Sequence, residues 1–169
     1  MQIKKMIVSA FIAVMALSAA ALAQGNNNPA VYNGPVKAVT NVTILPDLEA
    51  KIEAFEDAAC TKPIANNGQI FQTLAWVRLT IKNKGAVPSG SFIYKGMIDV
   101  DGNKVYNPDA AQMSLAANQS KQIGVIKVQL GGTTDVVTAK LLADIGNFVQ
   151  ETTDSNNIAN FKFTSQTAH

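Results

Sequence analysis

Between Gln72 and Lys82 the chain reads QTLAWVRLTIK, placing Ala75, Val77, Leu79 and Ile81 on one side of a two-residue period. Leu74, Trp76, Arg78, Thr80 and Lys82 fall on the other side. Successive strand side chains point to opposite faces, so such a stretch buries one complete row only as part of a sheet. β-branched and aromatic residues are frequent in it, and they pack well on a pleated surface. Comparable segments follow at Ser91 to Asp99, Lys121 to Leu130, Val136 to Ala143 and Asn157 to Thr164. Asp101-Gly102 sits between apolar-polar runs and predicts a hairpin whose two central residues tolerate positive φ. Within Lys121 to Leu130 the inward phase shifts, which places a bulge near Val125. Thr61 to Gln69, with its Pro, Asn-Asn and Gly, reads as a loop, and Asn83 to Gly90 breaks the chain again. The expectation is an all-β antiparallel sandwich of about seven strands with a turn signal roughly every ten residues.

Two segments leave alternatives open. Asp47 to Phe55, DLEAKIEAF, alternates as a strand, yet Leu48, Ile52, Phe55 and Ala59 also fall at helical spacing and Ala, Glu and Lys favour helix. It is read as a strand because everything after it is β, and a lone amphipathic helix would need its own groove. Trp76 lies opposite the Ala75 row. A tryptophan on a central sandwich strand ordinarily packs the core, and if it does so here the two faces are exchanged.

The N-terminus carries Lys4 and Lys5, then the uncharged run Met6 to Ala23, ending in Ala21-Leu22-Ala23. A basic start, an apolar stretch and a small-x-small site make a cleaved signal helix over residues 1–23. The protein is then expected to be exported, periplasmic or extracellular. Residues 24–45, rich in Asn, Gly and Pro at their start, read as a flexible leader, residues 46–165 as the domain and residues 166–169 as a tail. The chain has 14 basic and 12 acidic residues, so without the two signal lysines the remainder is neutral. That gives no reason to expect nucleic acid, and no later stretch is apolar enough for stable membrane insertion. One cysteine, Cys60, cannot close a disulfide within the chain. It reads as a buried small hydrophobe, with an exposed free thiol or an intermolecular crosslink as alternatives.

Catalysis needs a positioned nucleophile, base or metal. The only histidine is His169, the final residue, so Ser-His-Asp, Cys-His and His-based metal arrangements have no base or ligand to use. No catalytic or cofactor-binding residue is expected. Two oxygen-rich segments bear on a hard cation. Asp99 to Asn103 has its glycine at the wrong offset for a calcium loop and is explained by the hairpin. Asn147 to Asn157 offers Glu151, Asp154, Asn156 and Asn157 as candidate Ca2+ ligands. The competing reading is that these side chains bond their own backbone and shape a tight connection. If the strands alternate in direction, the loops Asn83–Gly90, Asn107–Gln119 and Gly146–Asn156 gather at one pole. Asp57–Gln69, Asp101-Gly102 and Gly131–Thr134 gather at the other, which separates the two acidic segments.

Four blocks occur in an order that resembles one family. They are the Asp47-Leu48 opening, VRLTIKNKGAVPSG (Val77 to Gly90), SLAANQSKQIGVIKV (Ser114 to Val128) and TAKLLADIGNFVQETTDSNNIANFKF (Thr138 to Phe163). Asn83-Lys84-Gly85 and the Asp144 to Asn157 segment are the most specific parts. Together they look like a CARDB domain, the cell-adhesion-related domain found in bacteria. The resemblance implies an immunoglobulin-like sandwich and an extracytoplasmic, adhesion-related interaction role. The expected function is a non-enzymatic binding module for a protein or cell-envelope partner. A carbohydrate-binding module would instead need Trp76, Tyr94 and Tyr106 on one solvent face. A structural subunit of a surface assembly would use the leader as a donor strand.

Overall fold

The computed structural model describes residues 43–166. The expected signal helix, the leader up to residue 42 and the last three residues lie outside the described residues. Among the described residues ten strands are present: β1 (Leu48–Phe55), β2 (Pro63–Ile64), β3 (Gly68–Ile70), β4 (Leu74–Asn83), β5 (Ser91–Val100), β6 (Asn103–Tyr106), β7 (Ala111–Ser114), β8 (Ser120–Gln129), β9 (Thr134–Leu142) and β10 (Ile158–Gln166). One sheet runs β2-β1-β4-β8. The other runs β3-β10-β9-β5-β6, with β7 also paired to β5. The chain is an immunoglobulin-like all-β sandwich. The six long strands and the short hairpin arm β6 match the expected strands. β2, β3 and β7 are short additions inside segments that sequence punctuation marks as loops.

Asp47 to Phe55 is a strand, because β1 pairs with β4 over its whole length, from Leu48 opposite Asn83 to Phe55 opposite Trp76. That ladder and the burial of Leu48, Ala50, Ile52 and Ala54 override local helix preference. The inner row of β4 is the Ala75, Val77, Leu79, Ile81 row, each fully buried. Trp76 therefore stays on the outer face and the faces are not exchanged. Facing β5, Leu79 packs so closely that a Cβ on Gly96 would come within 2.6 Å of its Cδ1. Phe92 and Phe163 are the largest side chains fully buried in the core. Each fully buried aliphatic or aromatic side chain contributes about 1.5–3 kcal/mol, so the core holds the fold without a disulfide.

The bulge lies at Ile123, two residues before the expected Val125. Leu79 pairs with Gly124 and Thr80 with Gln122, leaving Ile123 unmatched. The slip lets Ile123 pack on the core and returns Ile126, Val128 and Leu130 to the inner phase. β8 forms the far edge of its sheet, where Lys121, Lys127 and this bulge blunt further strand addition. The Asp101-Gly102 hairpin is present, with φ of 49° and 81° at its two central residues. Asp101 also ties it to β9, its Oδ1 accepting the Val136 N–H at 2.8 Å.

Candidate functional site

The loops 84–90, 107–119 and 143–157 gather around the start of β1, at one pole of the sandwich. Asn83, at the end of β4, organises it. The residue is fully buried, and its Oδ1 accepts the N–H groups of Asp47 at 3.1 Å and Gly85 at 3.0 Å. Its amide donates to the carbonyls of Val87 at 2.7 Å and Ala116 at 3.1 Å. One side chain thus fastens three segments that are far apart in sequence. Gly85 is needed because the chain arriving at β1 lies directly on it. A Cβ there would stand 2.5 Å from Pro46 Cα and 2.6 Å from the Leu45 carbonyl.

The segment after β9 is built the same way. Asp144 is buried, adopts φ 48°, and accepts the Phe148 N–H on one carboxylate oxygen and the Val149 N–H on the other, at 3.0 and 2.9 Å. Asp tolerates this left-handed backbone because its short polar side chain bonds locally. Asn147, at φ 52°, completes the turn. Glu151 then reaches across the sandwich. Its Oε2 accepts the Leu48 N–H and its Oε1 accepts the Asn157 amide at 2.8 Å. Asn156 donates to Asp47 Oδ1 at 2.8 Å. Of the four candidate ligands, Glu151 and Asn157 are joined directly. Asp154 lies on the exposed rim and Asn156 faces Asp47. Two acceptors are left over: Asn156 Oδ1 and Asn157 Oδ1 are buried without a donor. Asp47 and Asp144 belong to the same cluster. The sequence signal that could have added them is their place in turns beside Asn and Gly.

Burial pushes the Glu151 carboxyl above its ordinary 4.5, and the neighbouring Asp144 and Asp154 charges act in the same direction against its hydrogen bonds. An acid that holds its proton more tightly folded than unfolded adds stability below its unfolded pKa, and that share is lost as pH rises through the higher folded value. In metal-free urea titrations, the stability margin of the wild type over Glu151→Gln is expected to be larger below pH 4.5 than at neutral pH. A margin that grows toward neutrality would contradict this.

The loop also presents Phe148, 67% exposed, and the adjoining Ile158 is 52% exposed. Sequence reasoning passed over Phe148; its signal was a large apolar residue inside the polar run Gly146 to Asn157. The Phe148 ring lies over Gly146, whose φ of 98° brings the backbone beneath it. A hollow of about 190 Å³ beside it is lined by residues including Asp144, Asn147, Asp154, Asn157 and Ile158.

The other candidate positions fall elsewhere. Trp76 is half-buried on the outer face of its sheet, in register with Phe55 and Lys127. There Arg78 stacks 4.6 Å over the Phe55 ring and pairs with Glu53 at 2.8 Å. Tyr94 and Tyr106 pack against the core from the other sheet, and burial raises the Tyr106 hydroxyl pKa, with Tyr94 adding to it. The three aromatics therefore do not share a solvent face. Cys60 is not part of the core. It is a free, half-exposed thiol at φ 55° in the turn that Asp57 caps through the N–H groups of Thr61 and Lys62. The turn carries it away from both inner faces. A shallow hollow of about 390 Å³ on the outer face of the larger sheet is lined by Met97, Asp99, Thr138, Lys140, Asn160 and Lys162, among others. Among the described residues no group of three or more His, Cys, Asp or Glu side chains is arranged to hold a metal by itself.

The family model CARDB matches residues 45–161. This chain belongs to the CARDB family. CARDB domains are non-catalytic, extracellular-type domains of immunoglobulin-like fold. Among solved structures, the chain is similar to the crystal structure of the CARDB domain of the PF1109 protein from Pyrococcus furiosus in complex with di-metal ions. The two are 18% identical with a TM-score of 0.52, over 75% of this chain and 98% of that one. The solution NMR structure of the same CARDB domain aligns at 17% identity and a TM-score of 0.49, over 75% and 100% of the two chains. At this identity the likeness speaks for the fold. No curated protein matches the chain. The Asn83-Lys84-Gly85 and Asp144–Asn157 blocks that carried the sequence resemblance are, in this CARDB domain, the two fasteners of the loop pole.

Proposed function

We propose that this CARDB domain is an exported, non-enzymatic interaction module that engages a protein or cell-envelope partner through the loop pole around Phe148. The observation that carries the reading is an exposed aromatic on a loop fixed from both sides. Asp144 binds the Phe148 and Val149 N–H groups, and Glu151 anchors the same loop to β1. Aromatic side chains on preordered loops give large contact area for little entropy loss, which is why they dominate interface energetics. The neutral charge balance of the chain beyond its N-terminal lysines fits recognition by shape and apolar contact rather than by a strong field. The carbohydrate-binding alternative asked for three aromatics on one face, an arrangement absent here. The donor-strand alternative concerns residues outside those described.

The test is capture from the protein's own cell envelope by wild type and Phe148→Ser, compared by quantitative crosslinking. The variant is expected to lose at least about tenfold in capture, the equivalent of about 1.4 kcal/mol, with an unchanged melting temperature. Equal capture would move the recognition surface away from this pole.

A further inference from the structure

We infer that the loop pole of one copy docks onto the outer face of the larger sheet of a second copy, with Phe148 entering the shallow hollow there. This rests on the reading of Phe148 as an anchor, and it names the partner as another copy of this chain. Charge is the first observation. The pole loops and the entry to β1 carry Asp47, Asp109, Asp144, Glu151 and Asp154. The base among them, Lys84, already faces Glu49 at 3.5 Å. The sheet face has the opposite sign. Strand alternation and register put Lys95 on β5, Lys140 on β9, Lys162 on β10 and Lys104 on β6 on its outward side. Asp99 is the one acid in those outward strand rows. No ion pair among the described residues uses any of these four lysines. The neutral total is thus the sum of two regions of opposite sign, an arrangement that steers the pole of one molecule toward the face of another.

Shape is the second observation. Phe148 projects from the pole with its N–H held by Asp144. The hollow of about 390 Å³ accepts a group of that size, and its accessible wall is mostly carbon. Met97, Lys140 and Lys162 are among its lining residues. Each lysine offers an aliphatic stem to the wall and keeps its ammonium tip in water. A phenyl ring entering there meets apolar surface below and cations at the rim, which favour its π face. Within one chain the ring lies over Gly146 instead. The Lys95–Leu142–Ile158 row separates the pole loops from the Met97–Lys140–Asn160 row that borders the hollow. The contact therefore joins unlike patches on different copies. Each copy offers both patches, so assembly closes into a ring or grows as a filament.

Sedimentation velocity of the purified protein is expected to show a mean mass that rises with concentration up to about 1 mM, the weak end of specific association. Raising sodium chloride from about 0.05 to 0.5 M should weaken the association at least tenfold, because exposed charges are screened. Phe148→Ser removes the anchor, and Lys140→Glu with Lys162→Glu reverses the face. Each variant should lose at least tenfold in self-association at an unchanged melting temperature. Mixed in equal amounts, the two variants should associate again and stop at a dimer, since one intact pole meets one intact face. A wild type that stays monomeric to about 1 mM overturns the inference, as does a mixture that fails to pair or an association indifferent to either variant. A monomeric wild type whose envelope capture still depends on Phe148 would show that the anchor meets a different molecule; this inference would fall and the proposed function would stand.

Discussion

Asn83→Ala is expected to lower the unfolding free energy by about 3–5 kcal/mol, because it strands several polar groups at once, each costing about 1–3 kcal/mol when left unsatisfied. The alanine removes the acceptor for the Asp47 and Gly85 N–H groups and the donor for the Val87 and Ala116 carbonyls. None of these groups gains water freely, since Asn83 itself is fully buried. Domains of this size have about 5–15 kcal/mol in total, so the variant should unfold at much lower urea concentration. The slope of the transition should stay the same, as the surface exposed on unfolding is unchanged. Asn83→Asp supplies the complementary check. It keeps the acceptors and turns the donor against two carbonyls, so it should also destabilise, and more at neutral than at acid pH. A loss below about 1 kcal/mol for the alanine variant, the value of a single ordinary hydrogen bond, would show that the pole is not fastened there.

Gly85→Ala is expected to cost about 3 kcal/mol, the upper end of the range for overpacking. The added methyl would meet Pro46 Cα, the Leu45 carbonyl oxygen and the Asp47 nitrogen, all between 2.5 and 2.7 Å. These are backbone atoms and cannot move aside by changing rotamer. Gly131→Ala meets nothing within 4 Å and serves as the control, with an expected change inside about 0.5 kcal/mol. Because Gly85 and Asn83 act on the same incoming segment, the double variant should lose less than the two single losses together. Thermal or urea unfolding of the wild type, the two single variants, the double variant and the Gly131→Ala control decides it.

How far the sequence reveals this architecture depends on which force fixes each part. The β4 ladder was legible because burial of one face imposes a two-residue period on Ala75 to Ile81. The Asp101-Gly102 turn was legible because few residues accept its backbone. Both are local constraints written in adjacent residues. β3 escaped notice because Gly68–Ile70 is too short for a period and is held by pairing with Phe163–Ser165, nearly a hundred residues away. The position of the bulge was missed by two residues because Ile123 and Val125 are equally apolar. Only the register with β4 decides which of them is the extra residue.

The site shows the same division. Oxygen-bearing residues of the Asn147–Asn157 segment were visible as a cluster, but their assignments depend on Leu48 and Asp47, which meet them only after folding. Glu151 looked like one ligand among four and turns out to be a crossbeam to β1. Asn83-Lys84-Gly85 was noticed for its family resemblance; its physical content, a buried bracket followed by a close backbone approach, needed the three-dimensional neighbours. Trp76 illustrates the reverse case, where a general habit of sandwiches would have exchanged the faces and the simple alternation of the strand was the better guide.

The pairing of β3 with β10 is parallel, whereas every other strand pairing among the described residues runs antiparallel. Flanked by β3 on one side and β9 on the other, the last strand cannot leave its sheet without breaking ladders to two widely separated parts of the chain.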